Sequence, residues 1–323
     1  MLLSIVLSFR NEAEGLEELI TRIQAAIEPL DIEHEMIFVN DDSTDASLEI
    51  LTKFNKEDPG IKIINMSRRF GVAPCTIAGF RYAKGDAVVY MDSDLQDPPE
   101  LIPKLVEKWK EGYDVVHTTR TKRRGESYFK MLLTRMAYRA INMVSEIDIP
   151  MNTGDFKLLS RRAMNEVLRL KEYDPFIRGL SRWVGFKQIQ ITYERDARFA
   201  GETHYSLFRS LNPVKEFIRG LTSYSEVPLY FALVVGFLVS ISAFIYLFYI
   251  FFSRYLLGMH LPGWPAMMVT MLFLGGTTLF TIGVLGLYIG KIHQEIKKRP
   301  QFIVESTLGL EAPYKDDEDN EGC

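Results

Sequence analysis

From Pro228 to Phe252, and again from Leu261 to Gly290, the chain carries no charged side chain. Each run exceeds the roughly 20 apolar residues that a helix needs to cross a bilayer. Phe, Leu and Val recur around the whole circumference of both. A buried hairpin is the alternative, but helices apolar on every face would need a much larger soluble shell than the rest of 323 residues offers. We therefore expect two membrane-spanning helices.

The flanking charges set the orientation. Lys215 and Arg219 precede the first run, and Lys291, Lys297, Lys298 and Arg299 follow the second, while the connection holds only Arg254 and His260. Basic residues stay on the cytoplasmic side. This gives an integral protein of the cell (inner) membrane with its large N-terminal domain and its C-terminus cytoplasmic. The opening Met1-Leu2-Leu3-Ser4-Ile5-Val6 reads as a strand and lacks the features of a signal peptide. Cys75 and Cys323 are too far apart in sequence, in a reducing compartment, to suggest a disulfide framework. The net charge of −4 comes from a terminal acidic run, Asp316 to Glu321, of disordered composition. No basic field remains that would suit a nucleic acid.

The first half alternates two periodicities. Strand-like runs at Leu3 to Ser8, His34 to Val39, Ile61 to Met66 and Ala87 to Met91 are separated by helix-like runs at Glu14 to Ile27, Ala46 to Asn55 and Val72 to Ala83. A helix over Pro98 to Glu111 and a strand over Asp114 to Thr118 follow. Such alternation builds a parallel sheet covered by helices on both faces, so an α/β, Rossmann-like sheet is expected over about residues 1 to 120.

The fourth strand runs into Asp92-Ser93-Asp94-Leu95-Gln96-Asp97-Pro98-Pro99-Glu100. Residues two apart in a strand share a side, so Asp92 and Asp94 present two carboxylates beyond a strand's carboxyl end, where open α/β sheets bind ligands. Paired carboxylates repel unless a cation sits between them, and hard oxygen ligands suit Mg²⁺ or Mn²⁺ bridging a diphosphate. Asp97, Pro98 and Glu100 read as a helix start with Asp97 as N-cap.

Two further stretches keep alternative readings. The basic, aromatic segment from Arg120 to Arg139 suits either a solvated helix face or contact with anionic headgroups or a lipid phosphate. Leu207, Leu211, Val214, Ile218 and Leu221 recur at helical spacing among Arg209, Lys215 and Arg219, which suits either interfacial helices or packing on the sheet.

Taken together, Ser8-Phe9-Arg10-Asn11-Glu12, Val39-Asn40-Asp41-Asp42-Ser43-Thr44-Asp45, Arg68-Arg69-Phe70-Gly71, Asp92 to Pro99, Asn152 to Arg161, Arg198 to Thr203 and Gly283 to Gly290 with Lys298-Arg299-Pro300 form an ordered series of motifs. That series resembles the family 2, GT-A-fold glycosyltransferases, in particular those acting on polyprenyl phosphates, such as bactoprenol glucosyltransferases and dolichyl-phosphate mannose synthases. The resemblance covers nearly the whole chain. It departs from the family at Asp42, where Gly is common and a left-handed backbone would accommodate Asp, and at His204, where Lys is frequent. The Gln-x-x-Arg-Trp of processive synthases is absent at Gly179 to Trp183.

The resemblance implies UDP-glucose as donor and undecaprenyl phosphate as acceptor, with transfer that inverts the anomeric centre. Other sugars, from GDP-mannose or a UDP-aminosugar, and a catalytically silent membrane scaffold are the alternatives. It implies that Glu12, Asp41 and Asp92 meet the donor, although Glu12 could instead cap a helix. Asp92, Asp94 and Gln96 would hold Mg²⁺ or Mn²⁺, and Asp155 and Asp94 would be catalytic. Arg120, Arg124, Lys130 and Arg198 would meet the acceptor phosphate. A phosphate monoester is mostly dianionic at neutral pH, its second pKa being about 6. A strong base is therefore not required, and Asp155 is expected to orient a basic side chain or the acceptor as much as to take a proton. The expected layout is a cytoplasmic GT-A domain over 1–205, interfacial helices over 206–226, a transmembrane hairpin over 227–290 and a cytoplasmic tail over 291–323. Glycines 275, 276, 283, 286 and 290 suggest close helix packing and a homo-oligomer.

Overall fold

A computed structural model of the chain describes residues 1–120, 153–193, 227–255 and 263–310. Eight strands form one mixed sheet in the order β7-β5-β6-β4-β1-β2-β3-β8. They are β1 (Leu2–Phe9), β2 (Glu33–Asn40), β3 (Ile61–Met66), β4 (Ala87–Asp92), β5 (Val115–Arg120), β6 (Thr153–Ser160), β7 (Gln188–Tyr193) and β8 (Val304–Leu308). Helices α1 (Leu16–Ile27), α2 (Ser47–Glu57), α3 (Val72–Tyr82), α4 (Ile102–Lys110), α5 (Arg161–Arg169) and α6 (Ile177–Trp183) accompany it. Strands β4, β1, β2 and β3 are parallel, as the alternation predicts. β6 runs antiparallel between β4 and β5, and β8 antiparallel on the edge of β3.

Burial explains why the parallel strands read as unbroken apolar runs. On one face Leu3, Ile5, Leu7 and Phe9 of β1 pack with Leu16, Leu19, Ile20 and Ile23 of α1, all in the main core. On the other face α3 lies against β1 and β2 so closely that a Cβ on Gly79 would come within 2.2 Å of Val6 Cγ1. That face also buries a polar knot. Glu35, 2% exposed, accepts from Ser4 Oγ at 2.5 Å, from the Lys84 amide at 2.7 Å and from Lys62 Nζ at 2.6 Å. Burial acts to raise the Glu35 carboxyl, and the bonds from Lys62, Ser4 and Lys84 outweigh it, leaving the group below its ordinary value.

Three features depart from the sequence reading. The sheet extends well past residue 120, because β6 and β7 join it. The segment expected to be a tail supplies β8. Asp97 does not cap a helix: a 3₁₀ turn at Pro99–Leu101 precedes α4 without a side-chain cap, and Asp97 is fully buried, accepting from the Tyr193 hydroxyl of β7. A partner distant in sequence overrides the local capping pattern.

The second compact unit contains two long helices, α7 (Val227–Tyr255) and α8 (Trp264–Ile296). Both are long and apolar enough to cross a membrane, with stretches of mean hydropathy 2.2 and 1.9. Almost none of their side chains is buried, unlike the core helices of a soluble protein. α7 and α8 pack on each other, but a Cβ added at Gly275, Gly276, Gly283, Gly286 or Gly290 would meet nothing within 4 Å. These glycines do not serve close packing between the described parts of α7 and α8. Residues 206–226 lie outside the described residues.

Candidate active site

The chain leaves β1 for β2 on one side and later returns to place β4 on the other, with Ser8 opposite Asp92 in register. This reversal of strand order opens a crevice at the carboxyl ends of β1 and β4. Among the described residues, Glu12, Asp41, Asp92, Asp94 and Gln96 end or follow β1, β2 and β4 at this end of the sheet.

On the β2 side the loops are tied by short polar contacts. Asp41, 6% exposed, accepts from the Phe70 amide at 2.7 Å and from the Gly71 amide at 3.1 Å. Its own carbonyl accepts from Arg10 Nη1 at 3.1 Å. Gly71, with φ of 97°, turns the chain into the first turn of α3. The Asp41 carboxylate therefore fixes the Arg68-Arg69-Phe70-Gly71 loop, where the Arg68 guanidinium lies 4.0 Å from the Phe70 ring centroid. Asp42 adopts φ of 59°, the left-handed conformation that lets it stand in for the family's glycine. The Glu12 amide donates to Ser47 Oγ at 3.0 Å, and the Glu12 carbonyl accepts from the Gly15 amide at 3.0 Å. The N-cap position of α1 is Gly15, which has no side chain to cap it.

On the β4 side exposure alternates. Asp92, Asp94 and Gln96 are half-buried, and Ser93, Leu95 and Asp97 between them are buried. Ser93 Oγ donates to the Ser8 carbonyl at 3.0 Å. The Gln96 amide donates to Asp94 Oδ1 at 3.1 Å across Leu95, whose φ is 56°. The loop is thus tightly wound with the two carboxylates and Gln96 on its more accessible side. Burial, then repulsion from Asp155, Asp97 and Asp94, pushes the Asp92 carboxyl up to about 8, against a pull in the other direction from Arg178.

Asp155 enters from β6 and is gripped by both arms of a guanidinium. Arg178 Nε donates to Asp155 Oδ1 at 2.8 Å, and Arg178 Nη2 donates to Asp155 Oδ2. Next along the same strand, Lys157 is fully buried and donates to Ser181 Oγ at 3.2 Å. Burial lowers its ammonium to about 8 even though Asp155 pulls the other way. His117, opposite Lys157 on β5, is held neutral: burial, with Lys157 and Arg182 nearby, lowers it to about 3. Asp155 is therefore an ion-paired carboxylate above a buried cation rather than an isolated base.

Arg178 and Lys157 carried no role in the sequence reading. Arg178 sits in the run Phe176-Ile177-Arg178-Gly179-Leu180, where a lone arginine among apolar residues is the signal that could have flagged it. Of the expected acceptor contacts, Arg124, Lys130 and Arg198 lie outside the described residues, and Arg120 ends β5. Cys75 is a buried thiol, raised by burial and by Asp41 beside it.

Carboxylates and an amide oxygen at Asp92, Asp94 and Gln96 are the hard donors that Mg²⁺ or Mn²⁺ prefers. The acid-acid repulsion at Asp92 is of the kind a divalent ion removes. Among the described residues no group of three or more His, Cys, Asp or Glu side chains is arranged to hold a metal ion. Such an ion would then draw further oxygens from its ligand and from water.

The model of glycosyl transferase family 2 matches residues 4–168. The uncharacterized glycosyltransferase YkcC of Bacillus subtilis (strain 168) is 44% identical over 308 residues, which cover 95% of this chain and 94% of the relative. The uncharacterized glycosyltransferase sll0501 of Synechocystis sp. is 40% identical, with 96% of each chain covered. The bactoprenol glucosyl transferase of Shigella phage SfX is 35% identical, with 95% of this chain and 99% of that protein covered.

Proposed function

The chain belongs to glycosyl transferase family 2 and is a glycosyltransferase, and from that premise we propose that it transfers glucose from UDP-glucose to undecaprenyl phosphate at the cytoplasmic face of a membrane. The observation that carries this reading is the convergence of Asp92, Asp94 and the Arg178-bound Asp155 in one crevice, in a chain that also has two long, outward-apolar helices. The name of the phage relative, a bactoprenol glucosyl transferase, supports the choice of sugar and acceptor.

In this reading Glu12 and the Asp41 loop receive the nucleoside, and Asp92, Asp94 and Gln96 face the diphosphate. Divalent Mg²⁺ or Mn²⁺ held there would stabilise the negative charge that develops on the departing diphosphate. A lipid phosphate oxygen attacks the anomeric carbon from the side opposite the diphosphate, the new C–O bond forms as the old one breaks, and UDP leaves. The dianionic nucleophile needs no deprotonation. Asp155 then acts through its ion pair, holding Arg178 at the crevice while Lys157 offsets the charge beneath. Attack from the opposite side turns a UDP-α-sugar into a β-linked lipid phosphate sugar. The helices keep the domain where the acceptor's tail cannot leave the bilayer.

The test is a transfer assay on the full-length protein with undecaprenyl phosphate, Mn²⁺ and labelled UDP-glucose or GDP-mannose, scoring label in the organic phase. Label from UDP-glucose alone, β-linked and abolished by Asp94→Asn, is the expected result. Label from GDP-mannose alone overturns the choice of donor, and an α-linked product overturns the mechanism.

A further inference from the structure

A single line of side-chain hydrogen bonds runs from the edge strand β8 to the loops after β2 and β1. Asn65 Nδ2 donates to Ser306 Oγ at 3.0 Å. Asn65 Oδ1 accepts from Asn40 Nδ2 at 3.1 Å, and Asn40 Oδ1 accepts from the Ser43 amide at 2.9 Å. Ser43 Oγ accepts from the Asn11 amide at 3.1 Å, and Asn11 Oδ1 accepts from the Thr44 amide at 2.8 Å.

The order of donors and acceptors matters. A carboxamide has one accepting end and one donating end. With the Asn65 amide group turned to Ser306, its oxygen faces Asn40. The Asn40 amide group is then turned to Asn65, and its oxygen is left for the Ser43 N–H. Reversing either side chain sets donor against donor or acceptor against acceptor. Asn40 and Asn65 are only 5% and 7% exposed, so water does not readily replace a partner lost between them, while Ser306 lies at the exposed end of the line.

The loops at the far end hold two non-glycine residues in the left-handed region. Asn11 and Asp42 hold φ of 54° and 59°. The left-handed region costs a residue with a side chain about 1 kcal/mol and persists where the surroundings impose it. Asp41 directly follows Asn40, and Glu12 directly follows Asn11. Ser306 stands opposite Asn65 in the β3–β8 register, so the line begins on a strand that follows the second long helix in sequence.

We propose that Ser306 is a positioning residue for the nucleotide end of the crevice, acting through Asn65 and Asn40 on the loops that carry Asp41 and Glu12. The proposal rests on the reading of those two acids as donor contacts. It makes β8 a part of the donor site's support rather than a stretch of tail.

The experiment measures UDP binding, with GDP in parallel, to the full-length protein in the presence of Mn²⁺, alongside donor and acceptor KM values and melting temperature. Ser306→Ala is expected to weaken UDP binding and raise the donor KM about threefold, the scale of one part-buried hydrogen bond. Acceptor KM, kcat and melting temperature stay near those of the parent. Ser306→Thr, which keeps the hydroxyl, restores binding, Asn65→Leu weakens it further, and Glu305→Ala leaves it unchanged. Parental UDP binding in both Ser306→Ala and Asn65→Leu overturns the proposal and leaves the donor reading standing. A fall in melting temperature that matches the loss of binding and is not rescued by Ser306→Thr also overturns it, as a merely structural role. A parent protein that binds neither UDP nor GDP overturns the donor reading and the proposal with it.

Discussion

On the β2, β3 and β8 side of the crevice, Asp41 accepts from the Phe70 and Gly71 amides and Asn40 is bonded at both ends. On the β4 and β6 side, Asp92 faces Asp155, Asp97 and Asp94, and its carboxyl is pushed up to about 8. Both sides are rich in polar groups close to one sheet, yet the first answers them with backbone and amide partners, and the second crowds four carboxyl groups together with Arg178 paired to one of them. The contrast separates a surface finished by folding from one that the proposed cation and substrate would finish. Preorganised polar groups of the first kind bind without rearranging, and crowded acids of the second kind gain most when charge arrives.

The sharpest way to break the contrast is Asp92→Asn. Transfer should fall about 100-fold or more, the scale of losing one charge-stabilising group. Melting temperature should hold or rise, because the substitution removes repulsion; a lower melting temperature would place Asp92 in the structural class instead. The opposite pattern is expected across the sheet at Glu35→Ala, which strands Lys62 beside an apolar core. Unfolding measured in denaturant should show a loss of about 3 kcal/mol, as for breaking a buried ion pair from one side. Gly79→Ala comes next, since its Cβ would crowd Val6 at 2.2 Å and overpacking costs about 1–3 kcal/mol. The smallest effect is expected at Glu100→Gln. The Arg22–Glu100 pair is solvent-exposed at its carboxylate, and losing it should change stability by under about 0.5 kcal/mol.

The legibility of the sequence follows the same divide. β1 to β4 were readable because helices cover both faces and leave unbroken apolar runs. β8 was not: Val304-Glu305-Ser306-Thr307-Leu308 is a short edge strand, and half-exposed edges carry polar residues that look like tail. Asp92 and Asp94 could be placed at a strand's end from spacing alone. Asp97 was misread because Asp-Pro-Pro-Glu is complete as a local cap signal, while the Tyr193 hydroxyl that claims it lies 96 residues away. Arg178 escaped for the same reason, since its ion pair with Asp155 spans 23 residues and leaves no periodic trace.

The most direct test of the divided crevice is the melting temperature of the metal-free protein from about pH 5 to about pH 8, with and without Mn²⁺. The folded Asp92 carboxyl is raised from 3.8 to about 8. Between those values the native state holds a proton that the unfolded state has lost, so stability falls as pH rises. Glu35 has the opposite sign, its folded value being below 4.5, and weakens the protein only on the acidic side of 4.5. His117, lowered from 6.5 to about 3, also has the opposite sign and offsets the fall below its unfolded value, so the decline is read between 6.5 and about 8. The account predicts a melting temperature that declines toward the upper end of the range, a gain on adding Mn²⁺ that grows with pH, and the disappearance of both in Asp92→Asn. A flat profile in the parent protein, or an equal Mn²⁺ gain in Asp92→Asn, would contradict it.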